Sequence, residues 1–292
     1  MVTESKPVDR GGTERQIMCG LVGFWNRNGG DADATLVRQM LDKIVHRGPD
    51  DAGVWTGDGV GLGLCRLSIL DLSERGHQPF LTRNGEGVLV YNGEVYNFPE
   101  LRTELEACGH LFVSESDTEV VLAALQEWGV EAAVPRFNGM FAFAYYERAT
   151  HSLWLVRDRA GIKPLYYARS GSLLAFASEA KALFAHPGIP CRPDMHTLIT
   201  QVIHQRLAGT WTPFENVVSV MPGSMIKFSD ETQTTVTYFD LLHDLDPMRI
   251  VRQEKTGIDQ LAGEFEEIFR ASVTDHLVSD APLAMMCSGG LD

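Results

Sequence analysis

The chain has 292 residues, with 25 Lys+Arg against 39 Asp+Glu for a formal charge of −14, and it is 44% hydrophobic and 22% charged. This is ordinary globular composition, which excludes a wholly disordered chain, and the acidic balance argues against nucleic-acid or anionic-membrane partners, since both need a basic footprint. The longest apolar stretches, such as Met140 to Tyr146, fall far short of the ~18 residues of a membrane helix. The polar start MVTESKPVDRGGTERQI lacks the apolar core of a secretory signal. Five cysteines without a CxxC pair point to a reducing cytoplasm, with thiols that are buried or catalytic.

Residues 1–18 are charged and aperiodic, and read as a leader or as a start placed too early. Cys19 to Trp25 (CGLVGFW) is an apolar run with glycines near both ends, which predicts a buried strand. Leu36, Val37, Met40, Leu41 and Ile44 recur at helical spacing over 35–45. Strand-like runs follow at 60–70, 87–91, 140–146, 151–157, 164–168 and 172–177. Amphipathic helices are predicted over 98–109, with Pro99 near the start and Gly109 at the end, and over 117–128, between Ser116 and Gly129. Many strands with hairpin-type turns and clustered helices predict an α+β fold with antiparallel sheets. Past residue 186, Pro187, Pro190, Pro193, Pro213 and Pro222 break the pattern, so 188–255 is expected to be a domain edge and linker after a domain at 19–187. Residues 256–279 carry a helix pattern with Ile258, Leu261, Phe265, Ile268 and Phe269 on one face, and Ala281 to Cys287 is an apolar strand running into SGGLD.

Cys19 is followed by Gly20, which leaves its thiol sterically open, and preceded by Met18, a possible initiator. As an N-terminal residue it would carry a nucleophile and its base together, because the α-amine titrates at ~7.7–8.0 and the thiol at ~8.5; otherwise it is a structural thiol. Asn92-Gly93, in YNGEVYN, is either a hairpin turn or a side-chain amide and an unhindered N–H forming an oxyanion hole. Arg66, inside LGLCRLSIL, must snorkel to the surface or grip a carboxylate. Asp117, in SESDTEV, is a helix-start acid or the partner of a ligand ammonium. The terminal SGGLD after an apolar strand resembles a phosphate-cradling backbone nest and lacks the lysine of a Walker loop. The nine histidines show no HxxxH or HExxH spacing, so no metal site is expected.

In order, MCGLVGFW, HRGPDD, RLSILD, YNGEVYN, SDTEV, NGMFAFAYYE, RDRAGIKPLYY and FASEAKALFAHP resemble the glutamine amidotransferase domain of glutamine-dependent asparagine synthetases. The resemblance is dense over 18–187, loose through the PGS at 222–224, and returns at SGGLD. It implies a four-layer αββα N-terminal-nucleophile sandwich, followed over 256–292 by the first helix, strand and pyrophosphate loop of an α/β ATP-pyrophosphatase domain. Cys19 then matches the nucleophile that forms a glutamyl thioester, and Asn92 and Gly93 match its oxyanion hole. Arg66 matches the group that binds the glutamine α-carboxylate, with Ile69 and Leu70 lining the pocket. Asp117 and the backbone near Gly93 and Glu94 match the α-ammonium site. Ser288, Gly289, Gly290 and Asp292 match the pyrophosphate loop, and Met286 the adenine pocket. No cofactor is implied for the glutaminase half, whereas ATP and Mg2+ are implied for the synthetase half. The partners implied are L-glutamine, then aspartate and ATP in the full-length protein, with a homodimer as the possible assembly. Three departures stand out: 17 residues precede Met18, Leu64 and Cys65 replace a histidine common ahead of RLSI, and the chain stops before the serine that completes SGGxDS. Two other readings stay open, an amidotransferase serving another acceptor in specialised metabolism and a non-catalytic domain that retains its leader.

Overall fold

The computed structural model describes residues 18–207 and 209–282. In chain order these form β1 (Gly20–Asn26), α1 (Ala34–Asp42), β2 (Asp51–Gly57), β3 (Val60–Arg66), β4 (Phe80–Leu81), β5 (Gly87–Val95), α2 (Phe98–Ala107), α3 (Asp117–Trp128), α4 (Val130–Ala133) and β6 (Gly139–Glu147). There follow β7 (Ser152–Arg157), β8 (Tyr166–Ser170), β9 (Leu173–Ala177), α5 (Ala180–Leu183), α6 (Met195–His204), β10 (Val217–Ser219), β11 (Ser224–Phe228), β12 (Gln233–Thr237), α7 (Pro247–Glu254) and α8 (Ile258–Asp275). The strands build two six-stranded antiparallel sheets, one in the order β10-β8-β9-β1-β3-β2 and the other β12-β11-β7-β6-β5-β4.

Strand alternation sorts the apolar side chains into three layers. Leu21, Trp25, Leu62 and Leu64 of the first sheet meet Val88, Val90, Ala144 and Leu155 of the second, forming a core between the sheets. Val22 and Phe24 point the other way, where they pack with Val37, Met40 and Leu41 of α1 and Leu183 of α5. On the far side, Leu89, Tyr91 and Phe143 bury against Leu101 and Leu105 of α2 and Val120, Val121 and Ala124 of α3. The result is helix, sheet, sheet, helix, the order expected from the sequence resemblance. Glycine brings α1 down onto its sheet: a Cβ on Gly63 would lie 2.6 Å from Val37 Cγ1, and one on Gly61 2.7 Å from Val37 Cγ2. Local chemistry sets the helix ends. The Asp33 carboxylate accepts from Thr35 N (2.7 Å) at the start of α1, and Ser116 Oγ accepts from Thr118 N (3.2 Å) at the start of α3. Gly129, at φ +74, ends α3.

Three expectations are corrected. First, β5 does not stop at Tyr91 but runs on through Asn92-Gly93 to Val95, with Asn92 opposite Ala142 and Gly93 opposite Phe141 of β6. The pair is therefore not a hairpin turn: nine paired positions satisfy the backbone better than a local reversal would. A Cβ on Gly93 would lie only 2.4 Å from Met140 O, so the strand needs glycine there. Second, β3 ends at Arg66, and 67–70 is loop rather than strand because the Arg66 guanidinium draws the loop carbonyls around itself. Third, the stretch 188–255, expected to be a domain edge and linker, supplies β10 to one sheet and β11 and β12 to the other. Of its prolines, Pro222 sits between β10 and β11, Pro190, Pro193 and Pro213 lie in the loops around α6, and Pro247 begins α7. The helix pattern at 256–279 is realised as α8, whose Phe265, Ile268 and Phe269 are exposed. The apolar run from 283 and the nest residues Met286, Ser288, Gly289, Gly290 and Asp292 lie outside the described residues. Among the described residues no helix is long and apolar enough to cross a membrane.

The closeness of α1 to its sheet gives a direct test. Gly63→Val is expected to destabilise the fold by about 1–3 kcal/mol through overpacking against Val37 and Leu41. Urea unfolding measures it, and an unchanged midpoint would show that α1 packs less tightly than described.

Candidate functional site

Cys19 sits at the head of β1, where its side chain opens into a cavity of about 30 Å³ lined also by Arg66, Leu67, Ile69, Leu70, Gln78, Tyr91, Gly93, Glu94, Ser116, Asp117 and Thr118. The structure thus brings together Cys19, Arg66, Ile69, Leu70, Gly93, Glu94 and Asp117, which are far apart in the chain. Asn92 is not among the residues lining this cavity, although its chain neighbours Tyr91 and Gly93 are. It lies on the face of β5 that carries Val88 and Val90, the face turned toward the sheet of Cys19. Its side chain is 1% exposed, and Nδ2 has no hydrogen-bond partner among the described residues. A buried amide donor left unpaired costs about 1–3 kcal/mol, so such groups call for an explanation.

The thiol is held from one direction. Leu67 N–H donates to Sγ (3.3 Å), and the thiol points back at Leu67 O (3.5 Å). Burial pushes the Cys19 pKa up and the Glu94 charge adds to this, while the Leu67 N–H, Lys163 and Arg66 act against it. The thiol form therefore dominates at neutral pH, and a nucleophilic role requires a base. Among the described residues no histidine or carboxylate hydrogen-bonds Sγ. The backbone of Cys19 is fixed separately: its carbonyl accepts from Arg47 Nε (3.1 Å), and Arg47 Nη1 donates to Glu179 (3.0 Å). Gly20 has a packing reason beyond opening the thiol, because a Cβ there would lie 2.9 Å from Ile44 Cδ1. Cys65, next to Arg66, is 1% exposed, and burial raises its thiol pKa to about 12, so it stays a thiol at neutral pH.

Arg66 neither snorkels nor holds a carboxylate. It is 6% exposed, with Nη1 donating to Ser73 O (3.2 Å) and Nη2 to Leu70 O (3.0 Å) and to Asp71 O. A Cβ on Gly76 would fall 2.0 Å from Arg66 Nη2, so glycine at 76 makes room for this cage. Across the cavity, the cap of α3 is Ser116, and Asp117 is the first helical residue. Its buried carboxylate accepts from Tyr91 Oη (3.0 Å) and Val95 N (2.9 Å). Burial raises the Asp117 pKa against the pull of those hydrogen bonds. The Glu94 carboxyl is pushed well up, first by burial and then by the negative charge of Asp117.

Sequence reasoning missed three contributors. Gln78 clamps Tyr91 in both directions, its Oε1 accepting from Tyr91 N (2.7 Å) and its Nε2 donating to Tyr91 O (3.2 Å). No local pattern announces such a clamp. Arg47, within HRGPDD, anchors the Cys19 backbone by a contact that spans 28 residues. Lys163, within RDRAGIKPLYY, is 6% exposed, and its Nζ reaches Met18 Sδ (3.3 Å). The only available signal was a lysine in a turn that Asp158 ties down by accepting from Ala160, Ile162 and Lys163 N–H groups.

The carboxyl pair makes an electrostatic prediction. In Asp117→Asn, the Glu94 carboxyl is expected to titrate lower than in the parent chain, yet still above an exposed glutamate (~4.3), because burial, the larger cause, remains. A carbon-13 NMR titration of the Glu94 carboxyl reads this, and a value that rises or stays fixed would contradict the pairing.

Comparison with known proteins agrees with this geometry. The sequence matches the glutamine amidotransferase domain family over residues 18–239. It is 36% identical over 288 residues to asparagine synthetase [glutamine-hydrolyzing] 3 of Bacillus subtilis (strain 168), covering 94% of this chain and 44% of that one. It is 38% identical over 279 residues to asparagine synthetase [glutamine-hydrolyzing] 1 of the same organism, covering 94% and 42%. Against amidase chry2 of Gibberella zeae it is 34% identical over 288 residues, covering 94% and 41%. The chain therefore spans less than half the length of each of these relatives. Among solved structures, the glutamine phosphoribosylpyrophosphate amidotransferase of B. subtilis, complexed with ADP and GMP, superposes with a TM-score of 0.57 at 20% identity, covering 76% of this chain and 49% of that one, a likeness of fold alone. The family match runs through β12, so β10 to β12 fall within its span. On the sequence match and the two-sheet fold together, the chain belongs to the class II glutamine amidotransferase domain family.

Proposed function

We propose that this chain releases ammonia from glutamine through a thioester on Cys19, and that the ammonia serves the ATP-dependent amidation of aspartate to asparagine. The observation that carries the first half is the buried Asn92 amide, unpaired among the described residues and directly preceding Gly93, which lines the cavity that holds the Cys19 thiol. A donor kept dry and unpaired is poised for an oxygen that becomes charged only during reaction. Once Cys19 is N-terminal, its α-amine takes the thiol proton and Sγ attacks the glutamine side-chain carbonyl. Asn92 Nδ2 and the Gly93 N–H hold the oxyanion. Collapse breaks the C–N bond, and the protonated amine returns its proton to the departing ammonia. Water then cleaves the thioester to give glutamate and the free thiol. Arg66 receives the substrate α-carboxylate, Ile69 and Leu70 flank it, and Asp117 with the Glu94 side of the cavity receives the α-ammonium.

The second half rests on likeness to the two Bacillus asparagine synthetases, whose printed names give both glutamine hydrolysis and asparagine formation. ATP and Mg2+ would serve that synthetase step, and Ser288, Gly289, Gly290 and Asp292 are the residues that would hold the pyrophosphate and Met286 the adenine. The likeness to amidase chry2 favours a second reading, the same glutaminase chemistry serving a different acceptor.

Cys19→Ala is expected to abolish glutamate release from glutamine, and persistent release would remove the nucleophile assignment. Asn92→Ala should lose about 10²–10³ in turnover, and a parental rate would remove its oxyanion role. Intact-mass measurement of the active protein should show loss of the first 18 residues, since an amide nitrogen at Cys19 cannot act as a base.

A further inference from the structure

We infer that Asp280, in the turn after α8, is a positioning residue for glutamine: it fixes the loop that cages Arg66 and so sets substrate affinity without touching the reacting atoms. This rests on the glutamine-hydrolysis reading and extends it to a residue outside the span of the family match, which ends at 239.

The Arg66 cage is made of main-chain carbonyls, those of Leu70, Asp71 and Ser73. Such a cage is only as rigid as the loop that carries it. Asp280 grips that loop at two points: its Oδ2 accepts from Asp71 N (2.8 Å), and its own N–H donates to Ile69 O (3.0 Å). Two bonds of opposite sense, spanning Ile69 to Asp71, fix the peptide units on either side of Leu70, the residue whose carbonyl Arg66 holds.

The same short segment reaches the other wall of the cavity. Asp275 Oδ2 accepts from Asn138 Nδ2 (3.3 Å), and the His276 ring packs on Tyr96 with centroids 4.6 Å apart. Tyr96 directly follows Val95, whose N–H holds the Asp117 carboxylate. Residues 275–280 thus tie the loop around Arg66 to the strand end around Asp117. An amino acid presents its carboxylate and its ammonium at a fixed separation, so a brace between the two receiving walls raises affinity by pre-organisation. None of these contacts involves Cys19 or Asn92. Nor does α8 earn its place by core burial, since none of its residues is buried.

Steady-state glutamate release by the protein with Cys19 at its N-terminus, verified by intact mass, tests this in Asp280→Ala and Asp280→Asn. With Asp280→Ala, KM for glutamine should rise about three- to tenfold, the net scale of one ordinary hydrogen bond in an exposed loop, while kcat stays within about twofold. Asp280→Asn keeps an acceptor oxygen and should restore most of the affinity. Hydrogen exchange at the Asp71 amide should quicken in the alanine variant and not in the asparagine one. An unchanged KM in Asp280→Ala, a fall in kcat equal to the loss in kcat/KM, or an equal effect in both variants would overturn the inference while leaving the glutaminase intact. No glutamate release by the parent chain would instead overturn the glutamine reading, and this inference with it.

Discussion

Cys19 and Asn92 stand on strands of different sheets, and no ladder of hydrogen bonds joins those sheets. The distance between the Cys19 thiol and the buried Asn92 amide is therefore set by the apolar layer in which Leu21, Trp25, Leu62 and Leu64 meet Val88, Val90, Ala144 and Leu155. Each such side chain contributes about 1.5–3 kcal/mol when fully buried, so the layer is ample as a source of stability. Its stricter duty is as a spacer. Interiors pack at near-crystal density and transmit small changes in volume, and an error of about 1 Å between reacting groups can cost on the order of 10² in rate. The layer that folds the domain thus also sets the gap across which its chemistry would occur.

Burial gives the cavity its electrostatic character and also its cost. It raises the Cys19 thiol, the Glu94 carboxyl and the Asp117 carboxyl together, so every group there resists ionising unless a neighbour helps. The neighbours present are mostly dipoles: the Leu67 N–H at the thiol, and the Val95 N–H and Tyr91 hydroxyl at Asp117. A dry cavity furnished with aimed dipoles strengthens charge that appears in the right place and penalises it elsewhere.

Much of this was legible in the sequence where the cause is local. The helix at 117–128 follows from Ser116 and Gly129 at its ends, and the alternating runs at 140–146 and 151–157 are the strands they appear to be on paper. Cys19, Arg66 and Asp117 drew notice because each is a reactive or charged group in apolar or turn-like surroundings. Other features were illegible because their causes are distant. Asn92-Gly93 carries a strong hairpin signal, and pairing with Ala142 and Phe141, about 50 residues on, keeps it in a strand. The proline-rich stretch after 187 conceals three strands, of which β10 and β11 find partners some 50 to 75 residues earlier and β12 pairs with β11. Arg66 was expected to find a carboxylate and found carbonyls, which every residue has and no sequence motif records.

That last feature has a thermodynamic meaning. Three carbonyl oxygens accept from Nη1 and Nη2 of the guanidinium without cancelling its charge, and among the described residues no acidic group lies within ion-pair distance of it. The loop does for Arg66 what a hydration shell does for a dissolved cation. An anion arriving at this cavity would meet a positive charge already stripped of water and already solvated by the fold, so the desolvation that normally opposes salt-bridge formation was settled when the chain folded.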